Sequence, residues 1–113
     1  MKSLWYYWMH WRPTFWEDMT PQEDEVLGPH GDYVGRLHDA GRIVVAGGIM
    51  EPPGGIVCFY AEDRHEAQTT MEADPLFAAQ IVEITLHELR AGFVGGIRYA
   101  FTDTGEGQAP DSN

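Results

Sequence analysis

The segment from Ser3 to Arg12 constrains the fold most, because it is apolar in both phases of an alternating pattern. It holds three of the four tryptophans, together with other bulky residues that favour strands. With a period of two, one face carries Leu4, Tyr6, Trp8 and His10, and the other carries Trp5, Tyr7, Met9 and Trp11. We therefore predict a strand that needs a covering layer on each side.

Capping and turn signals predict the elements that follow. Thr20-Pro21-Gln22-Glu23 supplies an N-cap, a first-turn proline and a capping-box glutamate, so a helix starts there and runs toward Ala40. Gly28-Pro29 and Gly31 predict a kink or a division of this helix into two pieces, and Gly41 ends it. The remaining predicted elements are a strand Arg42 to Ile49, a strand Ile56 to Ala61, a helix Asp63 to Ala73 and a strand Ile81 to Arg90.

The predicted order βαββαβ is typical of an α+β, ferredoxin-like fold, in which an antiparallel sheet carries both helices on one face. The length of 113 residues and 43% hydrophobic content suit one domain, which we assign to residues 1–101. Residues 102–113 are expected to form a disordered acidic tail. Residues 92–101 either add an edge strand or reach across to a partner subunit.

The other face of such a sheet carries no helix, although the first strand is apolar on both sides. A homodimer packed sheet to sheet covers that face most simply. The alternative is a monomer whose own carboxyl-terminal segment shields the face.

Charge and cysteine content limit the partners and the location. The net charge of −11 repels nucleic acid and anionic membrane surfaces, so we expect neither as a partner. Cys58 is the single cysteine, which excludes an intrachain disulfide and fits a reducing cytoplasm. We find no signal-peptide pattern and no run of the ~20 apolar residues that a membrane helix needs.

His30 and Asp74 are the strongest candidates for chemistry. His30 shares a helical stripe with Val34 and Leu37, so it points toward the sheet. The first helix begins where strand one ends, and the second helix ends where the antiparallel last strand begins. His30 and Asp74 should therefore meet at one sheet edge, where an imidazole beside a carboxylate forms a proton-transfer pair. The alternative is that both residues serve only in helix packing and local capping.

The chain also resembles the YCII-related (YciI-like) family of small dimeric α+β barrel proteins over nearly all of residues 1–90. The matching pieces are Thr20-Pro21-Gln22-Glu23, His30 with Tyr33-Val34 and Leu37, Ala40 to Gly47, Gly55 to Ala61, Glu66-Ala67, Asp74-Pro75, and His87 with Arg90. The resemblance implies a ferredoxin-like dimer with a pocket in each protomer and His30 and Asp74 as the proposed catalytic pair. A dehydrochlorinase of a chlorinated hydroxyquinol is a family precedent. The chain departs from the family at Ala46-Gly47-Gly48, where alanine-glycine-proline is frequent.

Four further residues are candidates for substrate binding. Arg12 can hold an anionic group, or else pair with Glu17 or Asp18. Phe15 and Trp16 lie outside the strand and are candidates for an aromatic pocket, with core packing as the alternative. His87 is the next candidate, against a surface or interface role.

We predict no metal site and no cofactor, because the histidines lack ligand spacing and the glycine pairs lack the context of nucleotide loops. The predicted function is that of a small enzyme using His30 and Asp74 for lyase- or isomerase-type proton transfer on a small aromatic or enolic molecule. The alternative is a non-catalytic dimeric module that binds a small ligand or a protein partner.

Overall fold

The computed structural model describes residues 3–95 and, as short strands, residues 97–98, 100–101 and 107–108. It confirms the predicted α+β, ferredoxin-like order, with two short helices added. The main elements are β1 (Ser3–His10), α1 (Phe15–Asp18), α2 (Pro21–Asp39), β2 (Ile43–Ile49), β3 (Gly54–Ala61), α3 (Arg64–Glu72), α4 (Pro75–Ala79) and β4 (Glu83–Leu89).

The four main strands form one antiparallel sheet in the order β2-β3-β1-β4. β1 is central, and its residue Ser3 lies opposite Ala61 of β3 while His10 lies opposite Glu83 of β4. β2 and β3 form the predicted hairpin, with Gly48 opposite Gly55. The double apolar pattern of β1 thus belongs to a strand that has hydrogen-bonded neighbours on both sides.

The helices cover one face of this sheet, and the hydrophobic core lies between them. Trp5, Tyr7 and Met9 of β1 are buried there against residues of α3 and α4 such as Met71 and Leu76. The opposite phase of β1 faces away from the helices. We call that side the open face; it carries Tyr6, Trp8 and His10 together with their partners in register on the neighbouring strands.

Helix α2 begins as predicted but does not divide. The Thr20 hydroxyl accepts the Glu23 amide, and the Glu23 carboxylate accepts the Thr20 amide. Of the two predicted alternatives, a kink or two pieces, the division into two pieces is wrong, because the helix continues through Pro29. Pro29 and Glu25 both lie on the exposed side, so water can bond the Glu25 carbonyl that the missing proline N–H leaves free. Gly41 ends the helix at φ +76°, in the left-handed region that glycine adopts without strain.

The short helices α1 and α4 were not predicted. α4 follows directly from the predicted break at Asp74-Pro75, because Asp74 caps a new helix in which Pro75 is the first residue. After β4, Phe93–Val94 pair with Ile97–Arg98 in a separate two-stranded sheet, so these residues do not add an edge strand to the main sheet.

The predicted disordered tail, residues 102–113, lies outside the described residues apart from Gly107–Gln108, which pair with Ala100–Phe101. Within the described part of the chain, no helix is both long enough and apolar enough to cross a membrane.

Candidate functional site

Asp74 is a fully buried carboxylate that accepts hydrogen bonds from three elements. The Tyr7 hydroxyl of β1 donates to its Oδ2 at 2.7 Å, and the Leu76 amide of α4 donates to its Oδ1 at 2.9 Å. The His30 Nδ1 of α2 lies 2.7 Å from Oδ2 and 3.0 Å from Oδ1. These bonds satisfy the carboxylate within the core and tie β1, α2 and α4 together.

The contact with Asp74 determines which nitrogen of His30 is available. An ionised carboxylate can only accept hydrogen bonds, so Nδ1 carries the proton and donates it. In the neutral ring Nε2 then holds a lone pair, and it lies on the side of the ring away from Asp74. His30 is partly exposed, with 18% of its side chain accessible, and it lines a cavity. The pair therefore consists of a buried carboxylate and a partly exposed imidazole that lines a cavity.

Tyr7 completes this arrangement. Burial and the neighbouring Asp74 carboxylate raise the pKa of its phenol far above the ordinary value. Burial and Asp74 also raise the pKa of Tyr33, whose hydroxyl donates to the Thr70 carbonyl at 2.6 Å. Tyr7 is thus held neutral as a hydrogen-bond donor to Asp74.

The raised pKa of Tyr7 predicts a loss of stability in alkali. Above about pH 10 the unfolded chain releases the phenol proton while the folded chain keeps it. The folded state then binds one more proton, so the free energy of unfolding falls by about 1.4 kcal/mol per pH unit for this group.

Urea unfolding at about pH 9 and about pH 11 should therefore show a smaller loss for Tyr7→Phe than for the native chain. Burial also raises the pKa values of Tyr33 and Cys58. Both residues are present in the two proteins, so the stability that they lose in alkali cancels in the comparison. Equal losses in the two proteins would contradict this role of Tyr7.

A cavity of about 290 Å³ adjoins His30, between α2 and strands β2 and β3. Ala46 and Gly48 of β2 and Gly55 of β3 occupy the phase that faces the helices, as their register with one another and with Val57 shows. Small residues at these positions leave space that larger side chains would fill. Gly31 leaves matching space on α2, where a Cβ atom would meet nothing within 4 Å.

Two of the three aromatic residues after β1 line one end of this cavity, and the third supports them. Trp11 and Trp16 line it, whereas Phe15 is fully buried behind them and does not. Phe15 stacks on Trp11 with ring centroids 3.9 Å apart and meets Trp16 edge-on at 4.8 Å. The Trp16 ring also lies against Gly48, where a Cβ atom would come within 3.2 Å of it. Phe15 therefore supports the cavity wall.

Arg12 lies outside the cavity lining and is engaged by two carboxylates. Its guanidinium pairs with Asp18 at 2.7 Å and forms a second, short ion pair with Glu23. Hydrogen bonds from Arg12 lower the pKa values of both carboxyl groups, and these bonds raise the pKa of Arg12 itself. Arg12 thus links the loop after β1 to the start of α2.

His87 lies on the open face and is not brought to His30. Its ring stacks on Tyr6 with centroids 4.8 Å apart, and its Nε2 lies 2.8 Å from the Thr85 hydroxyl. The same hydroxyl lies 3.0 Å from Nε2 of His10. The sheet therefore separates this group from the cavity.

Among the described residues, no three histidine, cysteine, aspartate or glutamate side chains are grouped to hold a metal ion.

The sequence patterns did not identify Tyr7 as part of the site. A signal existed, because a tyrosine in an otherwise apolar phase of a strand needs a buried partner for its hydroxyl.

Comparison with known families gives one match. A family model described as the YCII-related domain matches residues 4–86, a span that runs from β1 into β4 and includes both His30 and Asp74. A search of curated proteins found no match.

Proposed function

The chain belongs to the YCII-related family, and from this we propose that it is a small enzyme in which His30 and Asp74 transfer a proton on an aromatic or enolic molecule. The observation that supports this most directly is the His30–Asp74 hydrogen bond beside a cavity. The reaction is of the lyase or isomerase type and requires neither a metal nor an organic cofactor.

The chemistry begins at Nε2 of His30, which takes a proton from a phenol, an enol or a carbon next to a carbonyl. The imidazolium that forms is stabilised by the Asp74 carboxylate on its other nitrogen. The electron pair left on the substrate then either shifts, so that His30 returns the proton to a different atom of the substrate, or expels a leaving group that takes up the proton. The first outcome is an isomerisation and the second an elimination.

Exchange of carbon-bound hydrogen for solvent deuterium tests this proposal on simple compounds and does not require the natural substrate. The native chain should accelerate exchange in at least one member of a panel of phenols, enols and β-dicarbonyl compounds, followed by proton NMR. The absence of acceleration across the whole panel, with the protein folded, would count against proton transfer.

A second candidate function is that of a non-catalytic module that binds a small ligand or a protein partner. The observation that favours it is that Asp74 also caps α4 and holds Tyr7, so the contact with His30 has a structural use without catalysis. Binding of a ligand with no exchange of its protons would favour this alternative.

We also propose that the protein is a homodimer formed through the open face. Val45 and Leu89, on the edge strands of the sheet, are 56% and 40% exposed, and Tyr6 of the central strand lies between these edges, in register with Cys58, the partner of Val45. An apolar sheet face of this kind marks an interface. Light scattering should give the mass of a dimer at micromolar concentration, and a monomer mass would reject the proposal.

Cys58 is free and buried, which is consistent with a cytoplasmic location.

A further inference from the structure

We propose that the cavity selects an uncharged one- or two-ring molecule whose hydroxyl donates to Nε2 of His30, and that it rejects the corresponding carboxylate. This inference rests on the proposed function and specifies the charge and size of its substrate. It follows from the volume of the cavity, the polar groups in its lining and the charges around it.

The volume sets the size of the ligand. A buried apolar cavity of ~150 Å³ is sufficient to hold benzene. The cavity beside His30 measures about 290 Å³, which suits a substituted ring or two fused rings. Its lining supplies apolar contact on several sides through Leu27, Val34 and Leu76. Trp11 and Trp16 add aromatic surface, which favours a ring over an extended chain.

The polar groups in the lining determine which hydrogen bond the ligand makes. His30 is the one ionisable side chain among the lining residues. The indole N–H of Trp16 donates to the Ile49 carbonyl at 3.0 Å and is already used. Nε2 of His30 is an acceptor in the neutral ring, so the matching ligand group is a hydroxyl that donates.

The charges around the cavity oppose an anion. The buried Asp74 carboxylate lies directly behind His30, and the lining contains no lysine or arginine. Arg12, at the nearby loop, is occupied by Asp18 and Glu23. Against the neutral His30 ring, a carboxylate seated on the apolar lining would lose part of its hydration without gaining a fixed positive partner, and this loss is costly. A phenol avoids that cost while keeping the same ring contacts.

Binding of p-cresol and of p-toluate, measured by chemical-shift titration, tests the inference because the two probes share one ring and one methyl group. We expect p-cresol to bind at least about tenfold more tightly than p-toluate, a difference of about 1.4 kcal/mol. Equal binding, or tighter binding of p-toluate, would overturn the charge selection. Binding of neither probe would overturn the proposed ligand class.

Gly31 and Gly28 provide matched variants that place the ligand in this cavity. Both are glycines of α2 where a Cβ atom would meet nothing within 4 Å, but Gly31 lines the cavity and Gly28 does not. Leucine raises helix propensity at Gly31, whereas at Gly28 its Cβ meets the ring of Pro29. Urea unfolding of both variants therefore checks that each one is folded. Gly31→Leu should weaken p-cresol binding at least about tenfold, whereas Gly28→Leu should leave it unchanged.

Unchanged p-cresol binding in Gly31→Leu would show that the ring binds elsewhere and would overturn the inference. Because these titrations involve no turnover, their failure is distinct from a failure of the deuterium-exchange assay, which tests proton transfer itself.

Discussion

Replacing Asp74 with alanine should lower the free energy of unfolding by about 3 to 5 kcal/mol. The substitution removes the acceptor for the Tyr7 hydroxyl, the Leu76 amide and the His30 ring. Each buried donor left without a partner costs about 1 to 3 kcal/mol, and the contributions are not additive. Relief from burying the carboxylate offsets part of the loss. Urea unfolding monitored by tryptophan fluorescence measures the change.

Asp63→Ala is the matched control for this prediction. Asp63 also caps a helix, but it is exposed, and its side chain accepts the Glu66 amide at 2.8 Å. Losing an N-cap costs about 0.5 to 2 kcal/mol. The difference between the two variants therefore measures what the buried network adds beyond capping. If Asp74→Ala cost no more than Asp63→Ala, the network would not be a major source of stability.

Replacing His30 with glutamine should reduce, by a factor of about 10² to 10⁴, the rate at which the protein exchanges hydrogen for deuterium in the panel compound on which the native chain acts. Glutamine can still donate a hydrogen bond to Asp74, so the contact between α2 and α4 has a replacement partner. It cannot accept a proton at neutral pH, so the chemical step loses its base. The exchange rate at saturating substrate is the quantity to measure, with unfolding in urea as the test of folding.

His38→Gln is the control, since His38 lies on the same helix with 74% of its side chain exposed. It does not line the cavity and pairs only weakly with Asp39, at 3.4 Å. The exchange rate should be unchanged. Loss of activity in both variants would point to a general effect of histidine removal from α2, and full activity in His30→Gln would remove His30 from the mechanism.

Local sequence signals were sufficient for most of the fold. The alternation in Ser3–His10 and the capping box at Thr20 are properties of neighbouring residues, so they can be recognised before any tertiary contact is known. Division of α2 at Pro29, one of the two predicted alternatives, does not occur, because the cost of an internal proline depends on whether the freed carbonyl reaches water. That depends on which side of the helix packs on the sheet.

Part of the site was also accessible from sequence. The directions of β1 and β4 bring the start of α2 and the end of α3 to one sheet edge, which is where His30 contacts Asp74. The face of the sheet on which His87 lies could also be predicted, because His87 shares a phase of β4 with Glu83 and alternates with Ile84. The cavity had no such signal, since its small residues come from separate strands and from the facing helix.

By itself, the sequence determined the α+β class, the order of the elements and the sheet edge at which the histidine and the aspartate lie, because these follow from periodicity, capping and chain direction. The family followed separately, from the resemblance of motifs spread over the chain. Only the tertiary structure decided that His30 uses Nδ1, that Tyr7 completes the network and that Arg12 is neutralised by Glu23. The hydrogen bonds that link Asp74 to His30 and to Tyr7 span sequence separations of 44 and 67 residues, respectively. Contacts over such separations depend on how side chains pack between segments, and local sequence patterns do not specify that packing.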